Sequence, residues 1–264
     1  MADQRGVVPG TDARPPQLRP TSAYNTSMKV SSIVVGFVLG TSAFAARSAE
    51  EFKTSAGMLK ITTVMHAGLV IEAGGQVVIV DPAQGSWDGI PQADLILITD
   101  IHGDHLNPSM IVKVKKRNGT VIAPEAVART LTEVQIIRNG ETKTIGAWKV
   151  EAVPMYNLKR GPSEGKLYHD KGRGNGYIVT YGGLRIYIAG DTEGIPEMRA
   201  LKNIDVAFVP MNLPYTMTPE EAADTVKEFH PKVVYPYHYM GSDPKVFEAA
   251  LAGSGIDVRI RNWY

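Results

Sequence analysis

The sequence predicts an α/β domain whose sheets carry helices on their outer faces, and two observations predict it. β-type runs of about four to eight residues, rich in Val, Ile and Leu, alternate with amphipathic helical stretches. The order of hairpins followed by strand–helix units then occurs twice along the chain. Composition agrees: 264 residues, 44% hydrophobic and 21% charged, make an ordinary globular chain and exclude disorder, collagen and a multi-span membrane protein.

The first runs are Leu59 to Met65, Leu69 to Ala73 and Val77 to Val80, joined through Gly68 and Gly74-Gly75 as a meander of hairpins. Asp94 to Thr99 (DLILIT) reads as a buried-strand run. Asn107 and Pro108 supply an N-cap and a first-turn proline, opening a helix through Lys116. A strand (Thr120 to Ala123), a short helix from Glu125 and strands near Val134 to Ile137, Glu141 to Ile145 and Ala147 to Val153 follow. Met155 to Gly174 has no period and reads as a loop long enough to carry function. Strands resume at Tyr177 to Tyr181, Leu184 to Ala189, Val206 to Pro210, Lys232 to Tyr235 and Asp257 to Ile260, with helices between the later ones. Thr218-Pro219-Glu220-Glu221 is a capping box, and Ala222, Val226 and Phe229 form the buried face of the helix it opens. One domain therefore spans residues 59–264, preceded by a linker over 46–58.

The N-terminus reads as two further segments. Residues 1–27 are polar, with Pro9, Pro15, Pro16 and Pro20, and cannot bury enough apolar surface to offset their ordering entropy. They read as a disordered extension or an upstream gene-model segment ahead of a start at Met28. Residues 28–45 have a signal-peptide pattern: Met28-Lys29, an apolar Val30 to Leu39, and the small-x-small Ala43-Phe44-Ala45. The apolar stretch is short of the roughly twenty residues that span a bilayer. The expectation is a periplasmic or secreted protein without a permanent membrane anchor, whose mature chain begins at Ala46.

Lys and Arg number 28 against 27 Asp and Glu, so no bulk charge attracts nucleic acid. The absence of cysteine removes disulfides, thiolate metal sites and a cysteine nucleophile, leaving six histidines and the carboxylates as candidate ligands and bases. Asp100-Ile101-His102-Gly103-Asp104-His105 packs four of them into the loop after DLILIT. Adjacent Asp104 and His105 point in different directions, so the run suits two neighbouring metal positions. Asp191 and His238 also follow strand ends, where a rigid sheet holds converging side chains. Imidazole and carboxylate without thiolate suit zinc, with manganese or iron also compatible.

These residues resemble the metallo-β-lactamase superfamily of metal-dependent hydrolases, and most of all its lactonase-like and phospholipase-D-like branch. The H-x-H-x-D-H loop is similar to Asp100 to His105, the G-D-T strand end to Gly190-Asp191-Thr192, and the last histidine to His238. His66-Ala67-Gly68 is similar to the G-H-A opening and Val80-Asp81-Pro82 to an early V-D-P. The resemblance implies a four-layer αββα sandwich with metals at one edge between the sheets. It also implies His102 on a first metal, Asp104, His105 and His238 on a second, and Asp191 bridging them. Asp100 stands where the family has its first histidine, and Asn157 where it has its third. The first position is then altered, with Asp100 still able to ligate and His169 or Asn157 available to complete it.

The implied reaction is hydrolysis of an ester, lactone or phosphodiester by a metal-activated water. Asp104 would orient that water and Tyr215 would protonate the leaving group. Lys171 and Arg173 in the long loop could hold an anionic substrate by charge-assisted hydrogen bonds, Asn157 is a further substrate-binding candidate, and the substrate would be a small molecule or lipid-like. His66 would hydrogen-bond a ligand rather than bind the metal, and His230 reads as a helix cap. Two other readings stay open: a non-catalytic or single-metal binding protein on the same fold, and a nucleic-acid-processing relative, which the neutral charge and the signal pattern disfavour. The oligomeric state is open.

Overall fold

The computed structural model of the protein describes residues 49–264. The segments read as an extension and as a signal peptide lie outside the described residues. Two seven-stranded sheets build the domain. The first runs in chain order through β1 (Ala49–Thr54), β2 (Gly57–Thr63), β3 (Leu69–Ala73), β4 (Gln76–Val80), β5 (Ala93–Leu97), β6 (Lys115–Ala123) and β7 (Val134–Ile136). Pairing is antiparallel from β1 to β4 and parallel from β4 to β7.

The second sheet repeats this plan with β8 (Thr142–Ile145), β9 (Trp148–Met155), β10 (Gly174–Tyr181), β11 (Leu184–Ile188), β12 (Val206–Pro210), β13 (Val233–Tyr237) and β14 (Asp257–Val258). It is antiparallel from β8 to β11 and parallel onward. The helices are α1 (Pro108–Val114), α2 (Glu125–Ala128), α3 (Pro196–Arg199), α4 (Pro219–Phe229) and α5 (Pro244–Ala250). Among the described residues no helix is long and apolar enough to cross a membrane.

Three apolar clusters define four layers. The central one joins Ile71, Leu95 and Leu97 of the first sheet to Trp148, Tyr177 and Phe208 of the second. An outer one packs Ile79, Ile96 and Ile98 against Ile111 and Val114 of α1. The other packs Ala207 and Val209 against Val226 and Phe229 of α4 and Phe247 of α5. The DLILIT run is continuous in apolar character because alternate residues serve different layers, Leu95 and Leu97 inward, Ile96 and Ile98 outward. The α4 capping box is formed, Thr218 Oγ1 accepting from Glu221 N at 3.1 Å and Glu221 Oε2 accepting from Thr218 N at 2.9 Å. His230 caps that helix in a left-handed conformation, its Nε2 3.0 Å from the Ser254 carbonyl.

Several strand ends shift by one to a few residues from the sequence reading, and two differences change an element. The segment taken as a linker contains β1, a sheet-edge strand that the apolar pattern could not reveal, since AEEFKT alternates exposed and half-buried positions with Phe52 its one large apolar residue. Backbone pairing to β2 and ion pairs from Glu50 to Arg259 and Arg261 hold it instead. The helix opened by Asn107 stops at Val114, because Lys115 already pairs with Ala93 in β6.

Candidate metal centre

The loops bearing the candidate ligands follow the carboxyl ends of strands: β2 (His66), β4 (Asp81), β5 (Asp100 to His105), β9 (Asn157), β11 (Asp191), β12 (Tyr215) and β13 (His238). His66, Asp81 and His238 all take left-handed backbone angles, at φ 57°, 45° and 46°. Such conformations cost a non-glycine residue about 1–3 kcal/mol and cluster where side chains are aimed for function. The backbone of His238 is tied across to the first sheet, its N donating to the His66 carbonyl at 3.2 Å. The Gly190 position favours glycine: its φ is +67° and a Cβ would lie 2.5 Å from Met155 Sδ, so a larger residue in the turn that leads to Asp191 would be strained and would displace Met155.

Two groups of ligand-type atoms result, Asp104 with His105, Asp191 and His238, and Asp100 with His102 and His169. Second partners fix several rings. His105 Nδ1 lies 2.8 Å from Asp81 Oδ2 and 3.0 Å from Thr99 Oγ1, while Asp81 also accepts from Thr99 N at 2.8 Å and from Thr99 Oγ1 at 2.6 Å. The Nδ1–H therefore points at Asp81, and Nε2 presents its lone pair to the site. His169 Nδ1 lies 2.6 Å from Asn157 Oδ1, which likewise turns Nε2 inward. His66 Nε2 is 3.0 Å from Asp104 Oδ2, and its Nδ1 accepts from the Tyr264 hydroxyl at 2.8 Å.

What faces inward is a convergence of lone pairs. Asp191 Oδ2 lies 3.3 Å from His105 Nε2 and 3.1 Å from His169 Nε2, and its Oδ1 lies 3.3 Å from His238 Nε2. His238 Nε2 is also 3.3 Å from Asp104 Oδ2. His105 Nε2, His169 Nε2, Asp191 Oδ1 and both nitrogens of His238 are buried without a hydrogen-bond partner. Buried polar atoms are costly unpartnered, and this set fits a divalent cation.

The electrostatics agree. Burial opposes charge at Asp191 and Asp104, yet the imidazoles of His238 and His105 beside Asp191, and the close approach of His238 and the hydrogen bond of His66 at Asp104, hold both carboxyls well below the usual range. Burial likewise opposes protonation of His105, but the charges of Asp191 and Asp81 raise it well above the imidazole norm. Acids held ionised and a base drawn toward its charged form mark a site short of positive charge. Burial, with the neighbouring His238 and His105, lowers His66, which its bond to Asp104 only partly offsets.

Asp100 is held at about 2 against an ordinary 3.8, the effect of burial being outweighed by the His102 hydrogen bond and the charges of His105 and Arg173. A carboxyl depressed in the folded chain stabilises it above the ordinary value, and that contribution goes as pH falls through the folded one. Asp81, raised by burial, acts with the opposite sign. Metal-free protein is expected to lose melting temperature between about pH 4 and pH 2 as Asp100 protonates. Calorimetry of chelator-treated protein checks this, and a flat profile over that interval would contradict it.

The site opens into a cavity of about 520 Å³ lined by His66, His102, Asp104, His169, Asp191 and His238 and walled by Gln84, Tyr168, Asn212, Leu213, Tyr215 and Met240. Residues 60–238 match the family model of the β-lactamase superfamily domain. The chain belongs to the metallo-β-lactamase superfamily. A metal-dependent hydrolase of the UPF0173 group from Thermococcus onnurineus is 32% identical over 77% of this chain and 96% of its own length. One from Archaeoglobus fulgidus is 29% identical over 76% and 94%. A crystal structure from Parabacteroides distasonis, described as a metal-dependent hydrolase, is 45% identical with a TM-score of 0.78, covering 82% of this chain and 99% of that one.

In this superfamily member three expectations for the site are corrected. Lys171 does not face the cavity: its ammonium lies 2.6 Å from Glu197 Oε1 and over the Tyr156 ring. Arg173 is clamped on Asp100 rather than offered to substrate. Asn157 is buried and does not line the cavity; its Oδ1 orients His169 and its Nδ2 donates to the Tyr215 carbonyl at 2.8 Å. Tyr215 stands on the cavity wall, its ring edge-on to Tyr168 at 5.0 Å.

Sequence reasoning quoted Asp81 only as a strand-end motif, without assigning it to His105. It had no signal for Tyr264 or for Glu193. The Glu193 carboxylate accepts from the backbone N–H of Leu158, Lys159 and Arg160 and so shapes the loop after β9.

Proposed function

We propose that this metal-dependent hydrolase cleaves an uncharged carboxylic ester or lactone, with zinc as its metal. The observation that carries this reading is the lining of the cavity. Among the described residues no lysine or arginine lines it, and its carboxylates are Asp104 and Asp191. An anionic phosphodiester would meet those carboxylates without a cationic side chain to hold it. Leu213, Tyr215 and Met240, 49%, 45% and 54% exposed, form part of the wall, and exposed apolar residues gathered at a pocket suit an apolar acyl group. A ligand set of imidazoles and carboxylates with one side open to the cavity suits catalytic zinc.

A bound ion there would supply Lewis-acid polarisation and a water acidic near neutral pH. Asp104 is the ligand-group carboxylate open to the cavity, steadied by His66, and orients the attacking water. Tyr215, on the cavity wall, serves as proton donor to the leaving group. On the Met28 to Ala45 pattern alone, the enzyme is proposed to act outside the cytoplasm; an N-terminus at Ala46 in the mature protein supports this, and Met1 retained on a cytosolic protein overturns it.

Short-chain p-nitrophenyl esters and γ-lactones compared with bis(p-nitrophenyl) phosphate test the substrate reading. The expected result is chelator-sensitive turnover of ester or lactone with kcat/KM at least ~10-fold above the phosphodiester, about 1.4 kcal/mol of discrimination. Preference for the phosphodiester would overturn it.

A further inference from the structure

The two ligand groups differ in what their atoms already hold. In the Asp104, His105, Asp191 and His238 group, three of the four residues keep buried atoms without a partner. In the Asp100, His102 and His169 group, the carboxylate is already engaged. Asp100 Oδ1 accepts from Arg173 Nε at 3.1 Å and Oδ2 from Arg173 Nη2 at 2.8 Å. Oδ2 also lies 2.9 Å from His102 Nδ1. Three of a carboxylate's roughly four lone-pair sites are thereby used, two of them in a guanidinium fork.

The arginine is anchored, not merely nearby. Its Nη1 donates to the Tyr168 carbonyl at 2.8 Å. A backbone bond between the two sheets sets its position: Asn175 N donates to the Thr99 carbonyl at 2.9 Å, and a Cβ on Gly174 would lie 2.9 Å from that same oxygen. Arg173, immediately before Gly174, is thus fixed beside Asp100, immediately after Thr99. A guanidinium stays charged at any working pH, and a divalent ion next to it would meet like-charge repulsion in a poorly screened setting. Without Asp100 the group is reduced to His102, His169 and a share of Asp191. His169 Nε2 faces Asp191 Oδ2 at 3.1 Å, and that carboxylate already belongs to the first group.

We propose that the chain holds a single metal ion, at the Asp104, His105, Asp191 and His238 group, and that the Arg173 guanidinium on Asp100 supplies the positive charge at the second position. The inference rests on the metal-dependent reading above and adds to it the number of ions and the residue that sets that number. Asp100 then positions Arg173 and His102 instead of ligating.

The test is metal counting on the full chain, stripped with chelator, dialysed against zinc and freed of excess. One zinc per wild-type chain is expected, two in Arg173→Met, where Asp100 is released, and one again in Arg173→Met with Asp100→Ala. Two zinc ions in the wild-type chain overturn the proposal, as does one ion in an Arg173→Met chain whose circular dichroism matches wild type. A cobalt(II) titration of the wild-type chain followed by visible absorption, expected to saturate at one equivalent, decides independently of how the variants fold; saturation at two overturns it. A wild-type chain that takes up no metal contradicts the metal-dependent reading itself, which keeps the two failures apart.

Discussion

Asp191→Asn is expected to empty the site of metal and to reduce ester hydrolysis to the rate in buffer alone. Asp191 is the buried carboxylate toward which three imidazoles converge: His105 and His169 face its Oδ2, and His238 faces its Oδ1. The amide keeps the shape but removes the anion that a divalent ion would neutralise, and it turns a donor toward rings that present lone pairs. The backbone is held by other contacts, since Gly190 N donates to the Tyr237 hydroxyl at 2.8 Å and Thr192 is bonded to Tyr156 and Glu193. The fold should therefore persist. Metal content, kcat/KM and circular dichroism of the purified variant check this together. Wild-type metal content would show that Asp191 is not a ligand.

Asp81→Asn is expected to weaken zinc binding by about 10- to 100-fold, the range seen when a ligand's supporting partner is changed, although Asp81 touches no metal position. Its Oδ2 accepts the His105 Nδ1–H, and its Oδ1 accepts from Thr99 N. An asparagine can keep the second contact only by turning its NH2 toward His105, donor against donor. The ring then relieves the clash by moving its proton to Nε2, the nitrogen that faces the site. A buried donor left unpaired also costs about 1–3 kcal/mol, so a lower melting temperature should accompany the lost affinity. Competition for zinc with a chromophoric chelator measures the first effect and calorimetry the second. Unchanged zinc affinity would mean that the Asp81 bond does not set the orientation of His105.

Much of this architecture was legible before any coordinates, because the fold is written in local patterns. DLILIT reads as a buried strand since its alternate residues serve two different layers, and Thr218 to Glu221 reads as a helix start since both capping bonds lie within one turn. The same plan of hairpins followed by parallel strands recurs in the second sheet. β1 was not legible because it is held by backbone pairing and by Glu50 meeting arginines near the far end of the chain, neither of which leaves an apolar period.

At the site, the density of ligand types in Asp100 to His105 was visible, and so were Asp191 and His238 just past strand ends. What decides the role of each was not visible. Asp100 and Arg173 stand 73 positions apart, and their fork is set by the backbone bond from Asn175 at the start of β10 to Thr99 just past β5. Lys171 and Arg173 carry the same charge two residues apart, yet one turns outward to Glu197 and the other inward to Asp100. Asn157 in the place of a histidine looks like a lost ligand in the sequence. In three dimensions its amide oxygen orients His169 toward the site from twelve residues further along.

The most direct test of the metal centre is an anomalous difference map at the zinc absorption edge from crystals of the full chain grown with zinc and without chelator. The account predicts a peak about 2.0–2.2 Å from imidazole nitrogens of His105 and His238 and from carboxylate oxygens of Asp104 and Asp191. No peak among those four residues, or one held by other side chains, would contradict it.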